Sequence, residues 1–138
     1  MADTVFSHMG LSCDNPICVE KFYTKYFGFR RTRVFYAGSE EIVMIKSGNI
    51  YLELFKSTEA NANPPSTGAG PKYPGWRHIC FSVENLDLKL KEMGNDAKIT
   101  LGPIDMGSSV PGMKVCWLSD PEGNIVELNE GYSDDENL

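Results

Sequence analysis

The sequence of 138 residues predicts an α+β fold in which two βαβββ modules form a curled mixed sheet. Two pairs of matching segments carry this prediction. Residues 7–15 (SHMGLSCDN) and 77–85 (RHICFSVEN) share a histidine, a serine four positions later and an acid followed by asparagine. Residues 48–54 (GNIYLEL) and 123–128 (GNIVEL) share Gly-Asn-Ile at the start and Glu-Leu at the end. Matching segments in the same order indicate a duplicated structural unit.

The first module is predicted to begin with a strand over Thr4–Cys13, where apolar and polar residues alternate. Asp14 or Asn15 is suited to cap a helix that continues to about Tyr26, and Gly28 is suited to end it. Glycine turns then separate three further strands. These strands are predicted at Arg30–Tyr36, Glu41–Lys46 and Ile50–Phe55.

The second module is predicted to repeat this order after a long loop, Ser57–Gly75, which is rich in Pro, Gly, Ser and Asn. Its helix is expected over Asn85–Met93, with Gly94 closing it. A turn at 120–123 (DPEG) is expected to join the last two strands. The predicted strands are Trp76–Val83, Ala97–Leu101, Met113–Ser119 and Asn124–Asn129.

Length and composition favour one domain over residues 1–132, with the repeats at about 4–56 and 76–130 and an acidic tail at 133–138. The net charge of −6 argues against a nucleic-acid partner, since binding to phosphates needs a basic surface. No apolar run approaches the roughly 18 residues of a membrane span, and the start lacks the pattern of a signal peptide, so a cytoplasmic location is expected. The cysteines show no C-x-x-C spacing and are expected to be unpaired thiols. They are Cys13, Cys18, Cys80 and Cys116.

The two histidines of the chain, His8 and His78, occupy equivalent positions of the repeat, and so do Glu53 and Glu127. Strand alternation places each of the four opposite an aliphatic row that should pack on a helix, so all four are expected to face the concave side of the sheet. A single His or Glu on a half-exposed strand is more often solvated than a ligand. Four such residues at duplicated positions favour a site for one divalent metal ion instead. A degenerate site that binds metal weakly is the alternative.

These residues, together with residues 22–29 (FYTKYFGF) and 120–128 (DPEGNIVEL), resemble the vicinal oxygen chelate superfamily. That superfamily includes glyoxalase I, methylmalonyl-CoA epimerase, fosfomycin-resistance enzymes and extradiol dioxygenases. The His–Glu–His–Glu set is most similar to that of bacterial glyoxalase I. Epimerases commonly carry an amide at the place of Glu53, and dioxygenases and fosfomycin enzymes usually use two His and one Glu.

The resemblance implies a lactoylglutathione lyase-like enzyme with Ni, Co or Zn, and Mn as a further choice, bound by His8, Glu53, His78 and Glu127. The metal would stabilise an enediolate formed from a small substrate with vicinal oxygen atoms. Glu127 would be the catalytic base and Glu53 its counterpart, while the histidines would be ligands only. A homodimer is also implied, with each site formed within one chain or across two.

Two positions depart from glyoxalase I, in which an Arg and an Asn typically follow the first and second ligands by four residues. This chain has Ser12 and Ser57 there, which argues against glutathione as the thiol. The alternatives are an epimerase, or an antibiotic-modifying or antibiotic-binding member of the superfamily. Five aromatic residues are expected to line the cavity or to fill the sheet interior. They are Phe6, Tyr51, Phe55, Trp76 and Trp117.

Overall fold

The computed structural model describes residues 2–138 and contains two four-stranded mixed sheets, each accompanied by one α-helix. The elements of the first module are β1 (His8–Cys13), α1 (Pro16–Phe27), β2 (Arg30–Ala37), β3 (Glu40–Ser47) and β4 (Ile50–Lys56). Those of the second are β5 (Ile79–Ser82), α2 (Leu86–Met93), a short 3-10 helix (Gly94–Asp96), β6 (Lys98–Asp105), β7 (Lys114–Ser119) and β8 (Ile125–Glu130). The predicted α+β class and the two βαβββ modules are confirmed.

The two sheets have the same topology, with strand orders β1-β4-β3-β2 and β5-β8-β7-β6. In each sheet the first strand of the module pairs in parallel with the last, and the remaining pairs are antiparallel. The chain divides into two compact units at Ala62, so each module lies in its own unit. The pairing of first and last strands places each histidine next to the strand that carries the glutamate of the same module.

The first unit is held by the packing of α1 against β1 and β4. The Asn15 side chain accepts a hydrogen bond from the Cys18 amide at 3.2 Å, which caps the helix as the sequence predicts. Gly28 ends it with φ of 69°, a left-handed conformation that glycine adopts without steric cost. The helix buries Val19, Phe22, Tyr23 and Tyr26, and the sheet buries Ile42, Val43, Ile45, Leu52 and Leu54.

The second unit is organised in the same way, with α2 packed against β7 and β8. The Asn85 side chain caps α2 by accepting a hydrogen bond from the Leu88 amide at 2.9 Å. The buried Asp120 carboxylate accepts hydrogen bonds from the amides of Glu122 and Asn124 at 2.8 and 2.9 Å. This arrangement fixes the turn that leads into β8 and therefore the position of Glu127.

Three predicted strands are wrong in their extent, and one of them, predicted at Ala97–Leu101, is Lys98–Asp105. The first strand of the chain begins at His8 rather than Thr4, because its parallel partner β4 begins at Ile50 and residues 4–6 lie beyond the start of that strand. The strand predicted over Trp76–Val83 is Ile79–Ser82. Residues 77 and 78 instead bond through their side chains to carbonyl groups of the preceding loop. Within residues 2–138 no helix is long and apolar enough to cross a membrane.

None of the four cysteines forms a disulfide, as expected, and their thiols should differ in reactivity. Burial raises the pKa of the Cys116 thiol, whereas Cys18 is exposed. A raised pKa keeps the thiol protonated and therefore unreactive at pH 8, so Cys18 should react with a thiol reagent in the folded protein while Cys116 stays unmodified. Mass spectrometry of the peptides after a short labelling pulse checks this, and labelling in denaturant is the control. Equal labelling of the two in the folded protein would contradict it.

Candidate metal centre

The first unit brings His8 and Glu53 together across the parallel pair β1–β4. The His8 Nε2 atom lies 3.7 Å from Glu53 Oε1, with 39% of the His8 side chain exposed and 18% of the Glu53 side chain. Glu53 stands between the buried Leu52 and Leu54, so its carboxylate faces away from the core, as alternation predicts. The residue paired with Glu53 on β1 is Gly10, which places no side chain beside the carboxylate.

The second unit brings His78 and Glu127 together at the equivalent place. His78 Nε2 lies 2.6 Å from Glu127 Oε2, and the side chains are 22% and 12% exposed. Glu127 stands between the buried Val126 and Leu128, again on the face opposite the core. This pair is closer and less exposed than the first.

The His78 ring is oriented by a backbone carbonyl group. Its Nδ1 atom lies 2.7 Å from the Ala69 carbonyl oxygen. Because a carbonyl oxygen only accepts hydrogen bonds, the hydrogen is assigned to Nδ1, and in the neutral ring the lone pair is on Nε2. Nε2 is the atom beside Glu127, and a histidine held in this way is a typical metal ligand. His8 Nδ1 lies 2.9 Å from the Ser7 hydroxyl, which either donates or accepts, so its tautomer is not fixed in the same way.

Comparisons with known proteins identify the family. The family model of the Glyoxalase/Bleomycin resistance protein/Dioxygenase superfamily matches residues 6–128 of the sequence. The chain belongs to this superfamily. The "Uncharacterized protein YwkD" of Bacillus subtilis (strain 168) is 26% identical over 126 residues, covering 89% of this chain and 94% of that protein. A crystal structure of a glyoxalase family protein from Enterococcus faecalis is 27% identical, with a TM-score of 0.62 and coverage of 89% and 93%.

A third match within the glyoxalase superfamily shows the fold alone, because its identity is 10%. It is the genomically encoded fosfomycin resistance protein FosX of Listeria monocytogenes, complexed with Mn(II) and sulfate. The TM-score is 0.67, and the match covers 99% of this chain and 100% of that one. A member with this fold therefore binds a divalent metal ion.

The donor atoms of the two His–Glu pairs in this chain suit a divalent metal ion. Two ligand atoms at right angles, each about 2.1 Å from an octahedral ion, lie about 3.0 Å apart. The two His–Glu distances of 2.6 and 3.7 Å lie on either side of that value. Imidazole nitrogen and carboxylate oxygen are common donors to first-row divalent metals. The structure brings the predicted ligands together as two pairs, and residues 2–138 contain no group of three or more His, Cys, Asp or Glu that could hold a metal.

Cys80 is the residue paired with Glu127 on β5, but it does not add an anionic donor to the metal-free protein. Desolvation of the thiol, followed by the negative charge and hydrogen bond of Glu127, raises the pKa of Cys80 to about 12. The Asn129 side-chain amide lies 3.2 Å from its sulfur. The thiol is therefore protonated at neutral pH, and the donors of the second unit are His78 and Glu127.

The five predicted cavity aromatics differ in exposure. Tyr51 and Phe55 are half-buried, like Glu53, at alternating positions of β4. Phe6 and Trp76 are exposed, by 59% and 85%, and fill no sheet interior. Trp117 lies opposite Glu127 on the neighbouring strand, and its indole nitrogen is buried with no hydrogen-bond partner. Ala69 was not among the predicted site residues, and the glycine-rich character of its loop was the signal that could have indicated it.

Proposed function

We propose that the protein is a divalent-metal-dependent lyase or isomerase that moves a proton on a small substrate with two vicinal oxygen atoms. The observation that carries this proposal is the His–Glu pair at the same position of each module, with Nε2 of the histidine facing a carboxylate oxygen. Two such pairs, from one chain or from two, would supply four ligands to one divalent ion, with Ni, Co or Zn favoured over Mn. Four protein ligands would leave two positions of an octahedral metal ion for the oxygen atoms of the substrate.

The burial of the glutamates supports a cation at this place. Glu53 and Glu127 are 18% and 12% exposed, and a carboxylate taken largely out of water requires hydrogen bonds or a positive charge close by. The histidine nitrogen beside each carboxylate provides that charge only when it is protonated. A metal ion provides it at every pH at which the histidines are neutral.

When bound, the metal would supply Lewis-acid stabilisation of negative charge on the substrate oxygens. Glu127 is the residue we assign to take a proton from one carbon and return it to the neighbouring carbon, because it is the less exposed carboxylate. Glu53 would be its counterpart. The histidines are assigned the role of ligands, because coordination uses the nitrogen that a base would need.

The first unit argues for a substrate less anionic than a glutathione adduct. Ser57, at the place where glyoxalase I typically has Asn, donates its hydroxyl hydrogen to the Asp14 carboxylate. Arg31 makes two hydrogen bonds of 2.8 Å to Glu20. These side chains are therefore engaged within the unit. We therefore expect a hemithioacetal of a neutral thiol, or a hydroxyketone without a thiol, to be the better substrate.

The test is to load the protein separately with Ni, Co, Zn and Mn and to supply methylglyoxal hemithioacetals of glutathione and of 2-mercaptoethanol. We expect thioester formation, with the neutral adduct turned over at least as well as the glutathione adduct. In deuterium oxide, exchange at the product carbon reports the proton transfer. Metal binding without turnover or exchange of either adduct would overturn the lyase assignment and leave the epimerase or antibiotic-modifying alternative. Absence of metal binding would leave a binding protein.

We also expect a homodimer in the cytoplasm, by similarity to the superfamily. Sedimentation equilibrium of the metal-free and metal-loaded protein tests the dimer. A concentration-independent monomer in both states would contradict it.

A further inference from the structure

The loop before β5 contains a position that only glycine can occupy. Gly70 has φ of 115°, and a Cβ atom there would fall against the carbonyl oxygen of Arg77 and within 2.7 Å of its Cγ. Residues with a side chain rarely adopt this φ, and the Arg77 carbonyl oxygen, as part of the backbone, has little freedom to move away. The loop therefore lies in direct contact with the residue that immediately precedes His78.

Three carbonyl groups of the same loop are bonded by side chains from other segments of the second unit. The Gly68 oxygen accepts from the Thr100 hydroxyl at 2.7 Å, and the Pro71 oxygen accepts from Arg77 Nε at 3.2 Å. Between them, the Ala69 oxygen lies 2.7 Å from His78 Nδ1. The Gly70 amide donates to the Thr67 oxygen at 3.0 Å and closes the loop as a turn.

We infer that residues 67–71, here named the carbonyl loop, are a positioning element for His78. The loop holds the Ala69 carbonyl so that His78 Nδ1 keeps its hydrogen and Nε2 is the atom that faces Glu127. This inference rests on the proposed function for its consequence in metal binding, but not for its effect on the ring. The close contact at Gly70 and the bond from Thr100 keep the loop in place.

The first experiment compares Gly70→Ala with Gly75→Ala in the full chain. Gly75 belongs to the same long loop and also has positive φ, 142°, but nothing lies within 4 Å of an added Cβ. Nitrogen-15 NMR of the metal-free protein shows which ring nitrogens of each histidine carry a hydrogen. The chain has two histidines, so two sets of ring signals must be assigned. We expect a hydrogen on His78 Nδ1 in the wild type and in Gly75→Ala, and a mixture of rings with and without that hydrogen in Gly70→Ala.

The second readout is the dissociation constant for Zn and for Ni, measured by competition with a chelator. Loss of an outer-shell partner of a ligating histidine typically weakens metal binding about 10–100-fold, and we expect that weakening for Gly70→Ala only. Thr100→Val removes the bond to the Gly68 carbonyl and leaves the shape of the side chain, so it should weaken binding in the same direction. Thr32→Val is its control, because Thr32 bonds a carbonyl oxygen of a strand in the first unit.

Folded Gly70→Ala and Thr100→Val proteins with the wild-type tautomer and dissociation constants would overturn the inference. If Gly70→Ala does not fold, Thr100→Val decides by the same two readouts. If the wild-type protein binds no metal, only the proposed function is overturned. The NMR measurement on the His78 ring still tests the role of the carbonyl loop.

Discussion

Glu127→Ala is expected to lose the bound metal and, with it, the proton-transfer activity. The change removes an anionic ligand and leaves His78 Nε2 without the carboxylate oxygen that lies 2.6 Å from it. It also removes the assigned base, and a general base contributes about 10²–10⁴-fold to a rate. Elemental analysis of the desalted protein should fall from about one metal per site to a small fraction, and turnover of the preferred hemithioacetal should fall by at least the general-base factor.

Glu92→Ala is the matched control, because it removes a carboxylate of the same unit whose side chain is 58% exposed on α2. That variant should keep both metal and activity. Glu127→Gln separates the role of ligand from the role of base. Its amide oxygen can still bind the metal weakly but cannot take a proton as a base. Stoichiometric metal in Glu127→Ala would remove Glu127 from the ligand set. Turnover by Glu127→Gln at the wild-type rate would assign the base elsewhere, with Glu53 the next candidate.

Local sequence signals predict most of the fold because each module is built from short-range patterns. The two helices begin at asparagine caps, Asn15 and Asn85, and α1 ends at Gly28. Period-two alternation predicts that Glu53 faces away from the buried Leu52 and Leu54, and the burial pattern agrees. These features depend on neighbouring residues in the chain, so the sequence alone carries them. The metal role of the four ligands remains a prediction.

The setting of His78 could not be predicted in this way. Alternation treats residues 76–83 as one strand, but β5 begins at Ile79 and the histidine ring bonds the Ala69 carbonyl nine residues earlier in the chain. That bond depends on the backbone conformation of Gly70 and on a hydroxyl from Thr100 on another strand. A glycine in a loop indicates a turn, but its sequence does not reveal which side chain the turn's carbonyl groups will meet.

Phe29→Ala is expected to cause the largest loss of stability among the variants proposed. Phe29 is 2% exposed and packs edge-on against Tyr23, with ring centroids 5.8 Å apart and an interplanar angle of 77°. Removing a buried aromatic ring forfeits its transfer free energy and leaves a cavity, which together cost about 3–5 kcal/mol. Urea unfolding followed by circular dichroism measures the change. Ile17→Ala is the control, on the helix that carries Tyr23, because Ile17 is 63% exposed and should change the free energy of unfolding by less than about 0.5 kcal/mol.

Metal addition then separates the packing of the first unit from the chemistry of the ligands. A ligand that binds only the folded state raises the free energy of unfolding by about 2.7 kcal/mol at a concentration of 100 times its Kd. Phe29 packs on Tyr23 and is not one of the proposed ligands, so Phe29→Ala should gain as much from saturating metal as the wild type gains. Glu127→Ala should gain almost nothing, although its unfolding without metal stays close to that of the wild type. A Phe29→Ala protein that folds but gains nothing from metal would mean that the aromatic packing of α1 holds β1 and β4, and with them His8 and Glu53, in their binding geometry.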